Sequence, residues 1–528
     1  MTRRGVHVTS AIAILVIAFF YQVTRPAFLN DHFDHLSKAR QMLHGEYPVR
    51  DFFDPGRPLT VGLSAAVLAL SHDTLLGEAM LTMGAIAVGV MLVYWLAQRY
   101  TGSILWGYWA AACMLAIDLR LYNYPKILVP MVAVWLIARY LDAPSAARAA
   151  CLGAWGGLGF LFRHDLGVYL AVATLAALLL RRSRDTARNA AIVGTVAGLV
   201  AAPYLIYLQQ INALGSVAAE GGEGFLSAVR VSWIPFVSPF EYPGWRRLNA
   251  EIWVYYLFLF TPLVAFGGWL TRRITRPLSD HVVTLAVLCA ALTLFLIRGN
   301  IDSRLPDVAA PSFVLVAWML AALFDAGRTR RAHWRWILAA VAVAVATLTV
   351  VSVQELVEWQ SARRMTRAIT RLPTSISEPI AYLGSEPLAA WENDRGTTGL
   401  RGLARWMRSC TAIDDRFLVF GYYPEVFFYA RRLFAGGMLF FQSGYFSRPA
   451  DQQLTVERLR RQSTPFVIVE ESEMPALDGM YATVGAYIHE HYRRVAESGF
   501  GDSRTFVIFQ NNESAQDVGL GELPCLVG

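Results

Sequence analysis

The sequence predicts an α-helical polytopic membrane protein that carries a C-terminal α/β domain outside the membrane. Three observations predict it. Of 528 residues, 55% are hydrophobic and 16% charged, whereas a soluble globular domain carries about 25% charged residues. Apolar runs of about 20 residues, the length that crosses a hydrocarbon core, recur along residues 8–353. Beyond residue 353 the apolar runs shrink to strand length and the texture becomes mixed.

The long runs fall near 8–25, 76–98, 104–119, 125–141, 149–163, 166–180, 190–209, 251–270, 281–297, 308–325 and 336–353, giving about eleven spans. The first follows Arg3 and Arg4, yet "YQVTRPAFLN" offers no small-residue cleavage site, so it reads as an uncleaved span. Arginine clusters alternate between loops: Arg3/Arg4, Arg99, Arg139 to Arg148, "RRSRDTAR" (181–188), "TRRITR" (271–276) and "RTRRAHWR" (328–335). The positive-inside tendency makes those loops and the N-terminus cytoplasmic. The segments 26–75, 118–126, 163–166, 210–250, 298–307 and the tail are then external.

The tail, 354–528, follows 1–353 as a second domain. "DDRFLVFGYYPEVFFYARR" reads as a strand, a glycine-containing turn and a helix, while "TPFVIVEE" and "TFVIFQ" read as further strands. The last fifteen or so residues carry no such pattern. The net charge of +7 forms no basic stripe, which argues against nucleic acid as a partner. Five cysteines are too few for a disulfide framework. Cys113, Cys151 and Cys289 sit in apolar runs, whereas Cys410 and Cys525 lie in the tail, either paired in an oxidising compartment or as two free thiols.

The first external loop is crowded with ionisable groups: "LNDHFDHLSKARQMLHGEYPVRDFFDPGRPL" (29–59). Asn30 or Asp31 suits a helix N-cap, and the helical texture runs to Gly45. On that helix Asp31, Asp34 and His35 share a face. The apolar "PLTVGLSAAVLAL" (58–70) is too short to span and reads as an interfacial support. The bland alternative is a solvated surface helix decorated with carboxylates. Other outer hairpins pair cations with acids: "DLRLYNYPK" (118–126), "FRHD" (162–165) and "RGNIDSRLPD" (298–307). Ionisable groups at the membrane edge are costly and mark pathways or sites, although interfacial snorkelling gives the same residue types.

The sequence holds no Walker A motif, GxGxxG, GxSxG, HExxH, CxxC or DxD triplet. No cytosolic segment is large enough to hold a nucleotide, so a donor for an enzyme of this kind must come from within the membrane.

On these residues the chain resembles the integral-membrane glycosyltransferases of the GT-C superfold, in the group containing protein O-mannosyltransferases and the lipid A aminoarabinose transferase. The resemblance covers about 8–352. It rests on "DHFDHLSKARQMLHGEYPVRDFFDPGRPL", with support from "YPKILVPMVAVWLIARYL" (124–141), "FRHDLGVYLAVA" (162–173) and "RGNIDSRLPDVAAPSFVL" (298–315). It implies a polyprenyl-phosphate-sugar donor and transfer to a lipid, glycan or protein acceptor at the outer face of a bacterial cytoplasmic membrane. The aligned catalytic acid is Asp31, a general base toward the acceptor hydroxyl, with Asp34 as runner-up or partner. Arg57, at Gly56-Arg57-Pro58, takes the place of a lysine that meets the donor phosphate, and Arg163, Arg298 and Arg304 join it as phosphate-binding candidates. His35, Asp54, His164, Asp165 and Asp302 are candidate substrate-positioning residues. Displacement from behind inverts the anomeric centre. No cofactor and no essential metal are expected, although a divalent cation on Asp31 and Asp34 is the variant to weigh. The aromatic loop 220–251 suits either a sugar-covering role or an interfacial belt. A transporter or flippase for a lipid-linked or anionic solute is the rival, and it is disfavoured because the charges sit at helix ends and in loops.

Overall fold

The helices follow the apolar runs. The computed structural model describes residues 3–24, 28, 30–117, 119–181, 185–219, 238, 240, 247–271, 278–296, 301–329, 370–393, 399–442, 444–501, 504–514 and 523–526. In chain order the longer helices are α1 (Arg3–Val23), α2 (Asn30–Leu43), α3 (Pro58–Leu70), α4 (Leu75–Thr101), α5 (Ile104–Ala116) and α6 (Tyr124–Asp142). They continue with α7 (Ala146–Phe162), α8 (His164–Leu180), α9 (Thr186–Gln210), α10 (Arg247–Leu270), α11 (Leu278–Leu296) and α12 (Ile301–Thr329). Among the described residues six helices are long and apolar enough to cross a membrane: those in α1, α4, α6, α9, α10 and α12. The expected spans near 104–119, 149–163, 166–180 and 281–297 are the shorter apolar helices α5, α7, α8 and α11. The expected span 336–353 lies outside the described residues.

Packing divides the chain into two compact units, one of Met1–Ala27 with Met80–Pro379, the other of Phe28–Ala79 with Ile380–Gly528. The sequence reading grouped the first external loop with the spans; by packing it groups with the tail. The expected division at 353/354 lies outside the described residues.

Within the first unit, α6 has charge at both ends. At its C-terminal end Asp142 pairs with Arg99 (2.5 Å) and His281 (3.1 Å), and Arg148 donates to the carbonyls of Arg139 and Ala143. At its N-terminal end Lys126 meets Asp307 (2.6 Å). Arg99 and the Arg139–Arg148 loop, two of the segments that the arginine pattern assigned to one side, therefore meet at one end of α6. A hairpin pair assigned to the other side gathers at the opposite end.

The second unit is built on a five-stranded sheet: β1 (Arg416–Phe420), β2 (Leu433–Phe434), β3 (Phe466–Glu470), β4 (Tyr492–Ser498) and β5 (Phe506–Asn511), in the order β2-β1-β3-β5-β4. β1 runs parallel to both neighbours, and β3–β5 and β5–β4 are antiparallel. β1 and β3 are almost continuously apolar because both faces are covered. Leu418, Phe420, Val467, Val469, Val507 and Phe509 enter one core cluster with Val484 and Ile488 of the helix Ala482–His491. On other strand residues Trp406 packs against Phe417 (6.0 Å) and Phe466 (5.1 Å).

α2 is built into this unit. From His32 to Gln41 every residue is buried, which overturns the solvated-helix alternative. Ser37 Oγ donates to the carbonyl of Pro424 (2.9 Å), Arg40 Nη1 to that of Phe428 (2.9 Å) and Gln41 Nε2 to that of Phe434 (2.8 Å). His32 donates to Glu78 Oε1 (3.0 Å), which also accepts from Ser64 (3.2 Å), so α3 and the start of α4 are fastened to α2. Cys410 and Cys525 form a disulfide, which decides between the two readings of those thiols. The chain end is tied down there: Leu526 N donates to the carbonyl of Cys410, and Trp406 Nε1 to that of Pro524.

Candidate active site

Asp31 opens α2 as the acidic residue of its first turn, where the unsatisfied N–H groups favour negative charge. It is exposed, whereas Asp34 and His35 one turn on are buried. The three share a helical stretch but not an environment. Asp34 is taken by Lys38 (2.8 Å), an i,i+4 ion pair with both side chains nearly buried. His35 Nε2 accepts from Arg57 Nη1 (2.8 Å). Asp54 is buried, and both its oxygens accept from the backbone N–H of Arg57 (3.1 Å each). Burial pushes the Asp54 carboxyl up, against the pull of Lys38 and of Arg57.

Asp31 differs from the other loop carboxylates. Its partner is a phenol: Tyr422 donates its O–H to Asp31 Oδ1 at 2.8 Å. No ion pair to Asp31 occurs among the described residues. Burial, followed by the charges of Asp34 and Asp31, pushes the Tyr422 phenol far up, so it remains a donor throughout the working pH range. Asp31 is thus an accessible carboxylate, uncompensated by a cation and held by a fixed donor. That is what a general base requires.

Tyr422 lies just past the carboxyl end of β1. The turn is sharp because Gly421 has φ +122°, and a Cβ there would come within 2.4 Å of the Tyr423 ring. Tyr423 donates to Glu470 at the end of β3, and Arg504 lies over the Tyr423 ring at 5.1 Å. Glu425 stands in the first turn of the short helix Pro424–Ala430, with Oε2 buried and without a hydrogen-bond partner among the described residues. Burial pushes its carboxyl up to about 7, against its own backbone N–H and Arg504. The folded chain therefore keeps a proton that the unfolded chain releases between pH 4.5 and about 7, so stability falls as pH rises through that window. Glu425→Gln is expected to flatten the fall of Tm over that window; an unaltered slope would assign it to another group.

The cations of the first unit form a second cluster. Arg163 grips Asp165 with two bonds (Nε 3.1 Å, Nη2 2.8 Å), and Asp165 also accepts from the Leu166 N–H. Arg304 stands 3.7 Å from Asp307, which Lys126 also holds. The charge of Asp307 acts on Arg163, and that of Lys126 acts on Asp165, so these residues make one network. His164 does not orient Arg163. It stacks on Phe160 at 4.3 Å, and its Nε2 is buried without a partner among the described residues. Arg298 and most of the loop 220–251 lie outside the described residues, and so does the side chain of Asp302, a residue of α12.

Sequence reasoning overlooked four participants. Lys38 was legible, because i,i+4 spacing after Asp34 signals a pair. Lys126 and Asp307 stood in two quoted hairpins with nothing to join them. Tyr422 lies 391 residues from Asp31, and no local pattern announces that bond.

No protein-family model matches the chain, and no curated protein matches it. Among solved structures the chain is similar to the archaeal oligosaccharyltransferase AglB from Archaeoglobus fulgidus, solved with an inhibitory peptide and a dolichol-phosphate. The TM-score is 0.48 at 14% identity, over 96% of this chain and 75% of that one. It is also similar to apo ArnT from Cupriavidus metallidurans, with TM-score 0.44 and 14% identity over 95% of this chain and 97% of that one. At these scores the likeness carries no argument. The reading of function rests on the residues.

Proposed function

We propose that this multi-pass membrane protein is a glycosyltransferase. It moves a sugar from a polyprenyl-phosphate-linked donor to an acceptor hydroxyl on the outer face of a bacterial cytoplasmic membrane. The observation that carries the reading is Asp31: exposed, free of ion pairs among the described residues, and fixed by Tyr422. Asp31 takes the proton of the acceptor hydroxyl as that oxygen attacks the anomeric carbon. The phosphate departs from the opposite face, and the centre inverts. A phosphate leaving group near neutral pH needs no proton, but its developing charge needs a cation.

Arg57 is the first choice for that cation, because its guanidinium meets the imidazole of His35 rather than a carboxylate. Arg163 and Arg304 are matched with Asp165 and Asp307, so their part is to hold the first unit's polar network in shape. The disulfide in the second unit supports an oxidising compartment for that unit, and the arginine pattern supports a cytoplasmic N-terminus.

The test is transfer from a panel of radiolabelled undecaprenyl-phosphate sugars to envelope glycans, lipids and peptides by the purified chain, wild type against Asp31→Asn. Transfer that survives this change removes the reading, and counterflow of the same donors in empty liposomes replaces it with transport. No three His, Cys, Asp or Glu side chains gather as metal ligands among the described residues. The sequence leads us to expect no essential metal, so transfer should persist after dialysis against EDTA, and loss restored by Mg²⁺ or Mn²⁺ would place a divalent cation in the reaction.

A further inference from the structure

The two residues of the Tyr422–Asp31 bond are held independently. Tyr422 packs edge-on against Phe440 (centroids 4.7 Å, 80°), and the preceding Gly421 N–H donates to the carbonyl of Phe441 (2.7 Å). Pro424, two residues on, accepts from Ser37 of α2, so the turn is fastened to the helix of Asp31 a second time. α2 is anchored in turn by Arg40, Gln41 and the His32–Glu78 pair. Neither side of the bond has freedom to drift.

The setting is polarised toward donation. The charges that act on Tyr422 come from Asp34 and Asp31 on α2 and from Glu425 on its own helix, with Lys38 bound to Asp34 and Arg504 acting on Glu425. Surrounded by acids, the phenol stays protonated and donates its one hydrogen bond to the exposed carboxylate. An exposed carboxylate bound at Oδ1 keeps its second oxygen for an incoming hydroxyl. Fixing the carboxylate counts in a reaction whose rate depends on the approach of one hydroxyl, because a small misplacement of a catalytic group costs up to about 10²-fold.

We infer that Tyr422 is a positioning residue for the transfer reaction, supplied from the strand-to-helix turn after β1, and that it fixes the Asp31 carboxylate through its O–H. The inference rests on the reading of Asp31 as general base. It assigns part of the catalytic machinery to the tail, and Tyr422 acts through Asp31 without touching the reacting atoms.

Tyr422→Phe removes the O–H and keeps the ring against Phe440. In the full-length protein, assayed with the radiolabelled undecaprenyl-phosphate sugar that wild type uses, kcat is expected to fall about 10- to 100-fold with KM unmoved. Tm is expected to stay at the wild-type value, because the ring keeps its packing on Phe440. Tyr445→Phe, an exposed phenol whose ring also packs on Phe440 but whose O–H takes no part in the Tyr422–Asp31 bond, should match wild type in kcat and KM. If Asp31→Asn is inactive while Tyr422→Phe keeps the wild-type kcat, this inference falls and the base assignment stands. If Asp31→Asn is fully active, both fall. A drop in kcat accompanied by a raised KM or a lowered Tm would overturn the positioning role in favour of a structural one.

Discussion

Asp31→Asn is expected to lower sugar transfer by about 10²–10⁴, the usual contribution of a general base, while Tm stays close to the wild-type value. The side chain is exposed, and its amide oxygen still accepts from Tyr422, so the fold loses only the favourable negative charge at the start of α2. Asp34→Asn has the opposite signature. It strips the counter-charge from Lys38, whose side chain is nearly buried, and an uncompensated buried charge costs about 3–5 kcal/mol. Transfer by the surviving folded protein should then be much less affected. A purified pair measured for both rate and Tm separates the two acids. An active Asp31→Asn beside an inactive, fully folded Asp34→Asn would move the base to Asp34.

Asp307→Leu is expected to destabilise the first unit by about 3–5 kcal/mol, since it removes the carboxylate that holds buried Lys126. Lys126→Met on its own leaves the fully buried Asp307 to Arg304 at 3.7 Å and should cost a similar amount. The double variant removes both charges and is expected to recover most of the loss, because a buried pair replaced by packed apolar groups is often neutral. Denaturation of the detergent-solubilised protein, read as a double-mutant cycle, measures the coupling. Additive losses would mean that the two residues are stabilised separately, through Arg304 and other neighbours.

The helical architecture was legible because a span writes itself into twenty consecutive residues. The strands β1, β3 and β5 were legible for the same local reason. Asp31 was singled out from its charged loop by the family resemblance, which aligns it with a catalytic acid; the residues alone left it beside Asp34 and His35. What stayed hidden depended on pairing at a distance. Asp34, His35 and Asp54 read as site residues on type alone, and only the fold assigns Asp34 to Lys38, His35 to Arg57, and Asp54 to the backbone of Arg57. The burial of α2 was misread because its polar residues bind backbone carbonyls of the tail rather than water.

That burial sets an order of events during biosynthesis. Ser37 emerges long before its acceptor, which lies 387 residues further along the chain, and Gln41 waits for one 393 residues away. Until the tail is translated, the exposed polar face of α2 and the ring of Phe33, later packed on Phe428 and Tyr429, have no native surface to meet. Loop closure over such separations is slow and leaves apolar groups open to the wrong partners. The nascent protein is thus most vulnerable to proteolysis in the interval between insertion of its first helix and arrival of its last strand.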